Sequence, residues 1–514
     1  MIKILKNLLA GWSSTVAIGI IGFIMIPFLL GEMGEARYSL VLVLAAVVGI
    51  AQLADLGIGI SLSRELSAAN AKEERKKFGE FLCSGIAIYL SVGLVGTTII
   101  YFGAPLIVEK MWDGNGSLEL AIRACQIYGA GMLMIGFFNQ GWFSLISAYE
   151  RFDLSSMVIA GISAGSALLQ WIMIPNAQDK VLTWVIVQVG VQALAGILLV
   201  FIARHLHGPL RLKFSSLCRK CCQELLGLSS KVSLLKLTTL FSEKTDPLIL
   251  ALYSSPINLV MYNAASRVST ATKPFVSTIA GQLCPRATDV FVKGDIEGVR
   301  RILTVGTRYT MIIGGLVLIL VALFAHPFSE LWLKSSIPNG WSTVASLMIG
   351  LAVIEFMTFA AGGTQWSVLF GMKRLNFLVM TMLPTAIINL LLSIWFVGYT
   401  EVGVMGVIIA TLVISFIRRP VLVWYTARLV GISTKKYFVS SYFKPAVLIL
   451  VVGGIGFIAR SYWVPGTWIE LIASVSIITI VWGVLAYLFG VSEDEKKRIQ
   501  EGLVSAISKL KNTF

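Results

Sequence analysis

Fourteen runs of mainly apolar residues, each close to the length that crosses a lipid bilayer as a helix, divide this chain of 514 residues. A transmembrane helix needs about 20 such residues. The runs are 8–30, 38–60, 80–104, 120–147, 153–173, 182–204, 225–254, 257–285, 309–328, 342–364, 374–397, 402–417, 443–460 and 468–490. Because only helices and closed barrels satisfy their backbone groups inside a bilayer, runs of this length predict an all-α polytopic membrane protein with 14 transmembrane helices.

The composition excludes a water-soluble protein. Apolar residues make up 56% of the chain and charged residues 13%, and the mean hydropathy is +0.83. An ordinary soluble chain is about 25% charged, and so few charges cannot cover a surface that faces water. The net charge of +15 would suggest nucleic-acid binding in a soluble protein. In a membrane protein it is typical of basic residues kept in the cytoplasm, so no nucleic-acid partner is expected.

Lysine and arginine concentrate in alternate loops. With the N-terminus inside, the inner loops and termini hold 31 basic residues and the outer loops hold 5. This asymmetry predicts that both termini are cytoplasmic. The first apolar run is too long for a signal peptide, so we expect it to be a retained span. The seventh run carries many charges, but we expect it to cross the membrane. If it did not, every later loop would lie on the opposite side and the basic loops after it would face outward.

Residues of the first half recur about 224 positions later. Tyr38 corresponds to Tyr262, and Trp142 corresponds to Trp366. These matches predict two parallel six-helix repeats, an arrangement whose binding site lies between the repeats. The expected domains are an N-lobe of residues 1–210 with spans 1–6, a C-lobe of residues 211–430 with spans 7–12, residues 431–490 with spans 13–14, and a cytoplasmic amphipathic tail of residues 491–514.

Charged residues occur inside spans seven and eight. They are Lys231, Lys236, Glu243, Lys244, Asp246, Arg267 and Lys273. A charge near the bilayer centre costs about 2.5–3.5 kcal/mol on insertion scales, so such residues face the protein interior or water. Spacings of three and four place the polar residues of each span on one helical face. This pattern predicts a cationic cavity that attracts anions, with Lys231, Lys236, Lys244, Arg267 and Lys273 as substrate-binding residues. The alternative is internal ion pairing, for instance of Glu243 or Asp246 with Arg267.

Carboxylates inside the spans are candidates for coupling transport to an ion or for lining the cavity. They are Glu243, Asp246, Glu355 and Asp55. Asp55 and Glu355 could each carry a proton or a sodium ion, or could hold helices together through hydrogen bonds. The structural role is favoured for Asp55, which lies near the cytoplasmic end of its span, and neither role is favoured for Glu355.

No catalytic residues, cofactor or metal are expected. The three histidines of the sequence have no nucleophile beside them, and the sequence contains no Walker A pattern for ATP. Cys218 and Cys221 have the C-x-x-C spacing of a metal site, but the second pair that a zinc site of this type needs is missing.

Four short motifs resemble those of oligosaccharide flippases. They are Gln52-Leu-Ala-Asp55-Leu-Gly57-Ile-Gly59 in the second span, Thr245-Asp246-Pro-Leu-Ile-Leu in the seventh, Tyr262-Asn-Ala-Ala-Ser-Arg267 in the eighth, and Gly371-Met-Lys373-Arg374 after the tenth. Over residues 1–430 the chain is therefore similar to the O-antigen type flippases, the polysaccharide transporter family of the multidrug/oligosaccharidyl-lipid/polysaccharide flippase superfamily.

The resemblance implies a bacterial inner-membrane protein that moves an undecaprenyl-pyrophosphate-linked oligosaccharide from the cytoplasmic to the outer leaflet by alternating access. The sugar would be an O-antigen or similar surface polysaccharide unit, as in lipopolysaccharide synthesis. The implied partners are this lipid-linked sugar, membrane lipids, a H+ or Na+ coupling ion, a polysaccharide polymerase and a chain-length regulator.

Three alternatives remain open. Peptidoglycan lipid II flippases share the fourteen spans but carry arginines in the first span, and residues 8–30 hold none here. Multidrug antiporters of the same superfamily typically have twelve spans and an acidic cavity. A membrane-embedded polysaccharide polymerase or glycosyltransferase is the alternative from another class, although such enzymes usually need a large outer loop or a cluster of catalytic acids.

Overall fold

The computed structural model describes residues 2–55, 57–112, 117–208, 217–227, 238, 245–490 and 496, and these residues form helices and no strand. The helices are α1 Ile2–Ala51, α2 Ile58–Ala71, α3 Arg75–Met111, α4 Leu118–Ala148, α5 Phe152–Met173, α6 Lys180–His207, α7 219–227, α8 Asp246–Tyr253, α9 Pro256–Val292, α10 Ile296–Leu333, α11 Trp341–Glu355, α12 Gly363–Gly371, α13 Leu375–Tyr399, α14 Met405–Leu429, α15 Thr434–Phe438, α16 Lys444–Tyr462 and α17 Trp468–Leu485. Single π-helical turns follow α11, α15 and α17.

Eleven segments of the described chain are long and apolar enough to cross a membrane. The prediction of an all-α, multi-pass membrane protein is thereby confirmed. The first segment, Ser13–Ala51, contains most of the first two predicted spans. They are separated at Gly34, whose φ of 75° breaks the helix in a conformation that favours glycine. The seventh predicted span lies largely outside the described residues, as does the predicted tail apart from Lys496.

Side chains on the spans are distributed as expected for a protein in lipid. Large apolar side chains are exposed, and Phe102 and Met380 expose 77% and 76% of their surface. Polar side chains such as Asn139 and Gln365 are instead almost fully buried. This distribution is the reverse of that in a soluble protein, where large apolar side chains collect inside. The outer faces of these helices therefore suit a hydrocarbon environment, and the polar groups lie inside.

The chain forms two compact units. The first consists of Met1–Arg267 and Met382–Ala410, and the second consists of Val268–Thr381 and Thr411–Phe514. Helix α9 runs from the first unit into the second. The lobe boundaries predicted at residues 210 and 430 stay predictions.

Glycines allow close helix packing inside each unit. In the first unit, an added Cβ at Gly85 of α3 would lie only 2.6 Å from Leu62 of α2. In the second unit, an added Cβ at Gly314 of α10 would overlap the Cβ of Ala360 in the π turn after α11. Overpacking at such positions forces the backbone to shift, so both glycines fix how near their helices approach.

Two helix-to-helix turns share one geometry although they lie in different units. Glu150 follows α4 and Lys373 follows α12, and both have positive φ, at 55° and 57°. This conformation is uncommon for residues other than glycine. In each turn the backbone amide of the next residue donates to the carbonyl oxygen of the residue five positions before it. The N–O distance is 3.2 Å for the Arg151 amide and 2.8 Å for the Arg374 amide. The separation of these two turns along the chain is close to the 224 residues that separate corresponding residues of the two halves.

The turns before α3 and α10 form a second matched pair. Glu73 and Gly294 have φ values of 57° and 75°. The following amides of Glu74 and Asp295 again donate to carbonyls five positions earlier, at 2.9 and 3.1 Å. Corresponding turns in the two halves of the sequence thus end their helices in the same way.

Candidate functional site

The structure describes two of the five predicted substrate-binding cations. Arg267 and Lys273 both lie on α9. Arg267 belongs to the first unit and Lys273 to the second. The remaining predicted residues of the seventh span, Lys231, Lys236, Glu243 and Lys244, lie outside the described residues.

Arg267 of α9 extends its side chain beside helix α1. An added Cβ at Gly22 of α1 would lie 3.7 Å from Arg267 Cδ and 3.8 Å from its Nη1, which are ordinary van der Waals distances, so the Arg267 side chain lies alongside α1 at this position. The Arg267 side chain is exposed, and within the described chain no carboxylate forms an ion pair with it. A guanidinium is always charged, so Arg267 presents a cation that can receive an anion.

Asp246 is the first residue of α8, and it is buried. Its Oδ2 accepts a hydrogen bond of 2.9 Å from the Tyr262 hydroxyl of α9. A carboxylate in the first turn also interacts favourably with the helix dipole. The Asp246 carboxylate therefore holds α8 against α9 in the first unit.

The Asp55 carboxylate joins three helices of the first unit. Residues Gln52–Asp55 form a 3-10 turn after α1, and Gly57 takes a φ of 81° before α2. Asp55 Oδ1 accepts hydrogen bonds from the Gly59 amide at 3.1 Å and from the Tyr89 hydroxyl of α3 at 2.5 Å. An added Cβ at Gly59 would lie 3.0 Å from that hydroxyl. The Asp-x-Gly-x-Gly pattern thus builds a helix junction, which favours the structural interpretation of Asp55.

Glu355 lies at the centre of a polar cluster in the second unit. It ends α11 immediately before the π turn, and its two carboxylate oxygens accept hydrogen bonds from Ser269 Oγ at 2.6 Å and Thr272 Oγ1 at 3.1 Å. Lys273 Nζ lies 4.7 Å from the ring centre of Phe359, which is part of the same turn. The cluster therefore unites a carboxylate, two hydroxyls and a cation at a π turn, a feature that often marks functional sites.

A buried hydrogen-bond network lies beyond the π turn in the same unit. Gln365 Nε2 donates to the hydroxyls of Tyr437, at 2.7 Å, and Tyr442. The Tyr437 hydroxyl also bonds with Thr307 at 2.8 Å, and the Tyr442 hydroxyl donates to the Ala361 carbonyl at 2.7 Å. Because hydrogen bonds are strong in a buried, low-dielectric environment, these bonds position the turn that follows Glu355.

Arg418 and Arg419 lie in a helix that was predicted to end before them. The predicted span ends at residue 417, but α14 continues to Leu429 and both arginines are half-buried. An added Cβ at Gly362 would overlap the Arg419 guanidinium. Arg419 Nε has no hydrogen-bond partner in the described part of the chain. The apolar run after Pro420 was the signal that the helix goes on.

Long apolar helices that enclose carboxylates and hydroxyls define this protein as a polytopic membrane protein. The model of the polysaccharide biosynthesis protein family matches residues 4–291, and the chain belongs to that family. The chain is also 20% identical over 488 residues to the "Uncharacterized membrane protein EpsK" of Bacillus subtilis (strain 168), covering 92% of this chain and 93% of that protein.

Two solved structures share the fold. The lipid II flippase MurJ, in an inward closed conformation, superposes with a TM-score of 0.68 at 12% identity, covering 94% of this chain and 98% of that one. An inward-facing multidrug resistance MATE family transporter of the MOP superfamily gives a TM-score of 0.66 at 14% identity, with coverages of 84% and 99%. The family match confirms the predicted relation to polysaccharide biosynthesis proteins, and the fold shared with these two transport proteins agrees with the prediction that the chain is not an enzyme.

Proposed function

We propose that this protein is a flippase that moves an undecaprenyl-pyrophosphate-linked oligosaccharide, an O-antigen or similar surface polysaccharide unit, from the cytoplasmic to the outer leaflet. Arg267 is the main support for this proposal. Its side chain is a permanent, exposed positive charge on the long helix α9, and no carboxylate of the described chain pairs with it. The planar guanidinium matches phosphate oxygens in a bidentate geometry. The polyprenol tail can stay in lipid while the charged head group crosses the protein.

Lys231, Lys236, Lys244 and Lys273 are proposed to bind the same head group. Their support is the sequence pattern, since charges inside spans face a cavity or the protein interior, and steps of three and four align the polar residues. A cavity that carries several cations concentrates a dianionic head group from the surrounding solution. Glu243, Asp246 and Asp55 would then neutralise part of this charge or fix the helices around it.

Alternating access between two repeats is proposed as the transport mechanism. The spacing of sequence matches supports fourteen spans built on two parallel six-helix repeats. The matched turns at Glu150 and Lys373, and at Glu73 and Gly294, add structural support. The distribution of basic residues supports an inner-membrane protein with both termini in the cytoplasm. A polysaccharide polymerase and a chain-length regulator would act on the translocated unit.

Glu355 is proposed as the carboxyl group that couples transport to a proton. Its hydrogen bonds with Ser269 and Thr272 bring it into contact with α9, the helix that carries Arg267 and Lys273. A change of protonation at Glu355 would alter those bonds and thus the position of α9. Sodium is the alternative coupling ion, since carboxylate and hydroxyl oxygens also suit a hard cation.

A lipid II flippase is the second candidate function, because the described fold superposes on MurJ with a TM-score of 0.68. Both functions predict a pyrophosphate-linked lipid substrate, and they differ in the sugar. Deletion of the gene therefore separates them, since the blocked lipid accumulates and its sugar can be identified by mass spectrometry.

We expect the deletion strain to accumulate the lipid-linked oligosaccharide on the cytoplasmic leaflet. A membrane-impermeant reagent that oxidises sugars should reach the accumulated lipid only after spheroplasts are broken. If lipid II accumulates instead, the second function is correct. If the oligosaccharide accumulates but is already accessible in intact spheroplasts, the protein acts after translocation, as a polymerase would, and the proposal is wrong.

A further inference from the structure

A cluster of two thiols and a carboxylate, separate from the residues assigned to transport, lies where the segment after α6 meets α3. Cys218 directly precedes α7 and Cys221 lies in its first turn. The two Sγ atoms and a carboxylate oxygen of Glu80, near the start of α3, all lie within 4.8 Å of one another. All three residues belong to the first unit.

We propose that Glu80, Cys218 and Cys221 bind a zinc ion. Thiolates and carboxylates bind Zn2+ at about 2.3 and 2.0–2.2 Å in tetrahedral geometry, which places ligand atoms about 3.5–4 Å apart. The three side chains therefore need to move only slightly towards a common centre. A water molecule or a further side chain would complete the fourth position. Glu80 lies far from the C-x-x-C pair in sequence, so the spacing of cysteines alone predicted no such site.

Hydrogen bonds to neighbouring groups hold both cysteines in place. Ser84 lies one turn after Glu80 on the same face of α3. The Cys218 amide donates to Ser84 Oγ at 3.2 Å, and Ser84 Oγ lies 3.5 Å from the Cys218 carbonyl oxygen, to which it donates. The Cys221 amide donates to Cys218 Sγ at 3.3 Å. Such outer contacts orient ligands and raise metal affinity, so the site is arranged before a metal arrives.

The existing partners of these groups do not compete strongly with a metal. Glu80 forms an ion pair of 3.9 Å with Lys76, whose side chain is 92% exposed. Exposed pairs of this kind contribute little, so a divalent cation would displace the lysine. Cys218 and Cys221 are both free thiols, which leaves their sulfur atoms available to coordinate.

The bound ion would fasten the segment 217–227 to helix α3 in the first unit. Along the chain, this segment lies between α6 and α8, and its last residues overlap the start of the seventh predicted span. Two ligands from this segment and one from α3 would add a metal-mediated link to the hydrogen bonds that already join Ser84 and Cys218. The proposed role of the ion is structural, because it joins two parts of the first unit.

Cobalt binding to the full-length protein tests the site. The purified, reduced and chelator-treated protein should bind one equivalent of Co2+, with a thiolate-to-cobalt charge-transfer band and the intense visible bands of tetrahedral coordination, and Zn2+ should abolish both. Joint replacement Cys218→Ser and Cys221→Ser should remove the bands, and Glu80→Gln should weaken binding roughly tenfold or more. The matched control Cys284→Ser, which changes a free cysteine of α9, should leave them unchanged.

Thiol protection in the unmodified protein gives a second test that does not depend on how the variants fold. Zn2+ should slow alkylation of Cys218 and Cys221 by N-ethylmaleimide, as measured by peptide mass spectrometry, and should leave Cys284 unaffected. Absence of a thiolate-to-cobalt band at stoichiometric metal, its persistence in the double variant, or unchanged alkylation with Zn2+ would each overturn the proposal. A disulfide between Cys218 and Cys221 in the purified, unreduced protein that forms again in the presence of Zn2+ would also overturn it.

Discussion

Replacing Arg267 with alanine is expected to reduce surface polysaccharide at least tenfold while the amount of protein in the membrane stays unchanged. A hydrogen bond to a charged group contributes about 1.5–3 kcal/mol, which corresponds to roughly 10–100-fold in an equilibrium or a rate. Arg267 is exposed and has no ion-pair partner in the described part of the chain, so its removal leaves no unpaired carboxylate there. The loss should therefore come from binding rather than from folding. Polysaccharide on whole cells and protein in isolated membranes are the two quantities to measure.

Two further variants show whether the guanidinium itself matters. Arg267→Lys keeps the charge but loses the planar pair of donors, and we expect an intermediate loss. Arg301→Ala removes an exposed arginine of α10 that is not assigned to the site, and we expect output near that of the unmodified protein. Unreduced polysaccharide in Arg267→Ala would contradict the cationic site, as would an equal loss in Arg301→Ala.

Replacing Glu355 with glutamine is expected to abolish the response of transport to a proton gradient. Glutamine keeps one oxygen that can accept from Ser269 or Thr272, so the local contact is retained in part. It cannot take up or release a proton. Coupling free energies of about 1–3 kcal/mol change equilibria by about 5–150-fold, and we expect a loss of this order when transport is driven by an imposed gradient. Translocation in vesicles with and without the gradient measures the effect.

The hydroxyl partners of Glu355 provide the matched control. Joint replacement Ser269→Ala and Thr272→Val removes both hydrogen bonds but leaves the carboxyl group. If Glu355 acts by changing its protonation, this double variant should still respond to the gradient, although more weakly. A Glu355→Gln variant that responds to the gradient as the unmodified protein does would show that the carboxyl group has only a structural role.

Hydropathy and charge predicted the helical membrane fold well, because length and apolarity are local properties of the chain. The break near residue 34 was predictable for the same reason, since Gly34 lies between two apolar runs. The end of α14 was missed because two adjacent arginines, Arg418 and Arg419, look like a loop when only charge is considered. Their apolar continuation and half-buried positions show that a helix can carry arginines where the surrounding protein accommodates them.

The contacts of the polar residues were not predictable, because they join distant parts of the chain. Asp55 accepts from Tyr89, which lies on a different helix, and Glu355 accepts from Ser269 and Thr272, more than 80 residues earlier. Hydrophobic periodicity identifies the face of each helix but not its neighbour. The C-x-x-C pair shows the same limit, since its third partner, Glu80, is apparent only after folding.

Translocation by the purified protein in proteoliposomes tests the flippase assignment most directly. An undecaprenyl-pyrophosphate-linked oligosaccharide, labelled on the sugar and incorporated into both leaflets, would be followed with an impermeant enzyme that cleaves only the sugar exposed outside. With the protein present, the protected half of the lipid should become cleavable, and Arg267→Ala proteoliposomes should be much slower. A protected half that stays uncleaved with the unmodified protein, or equally fast movement of an uncharged lipid bearing the same sugar, would contradict the account.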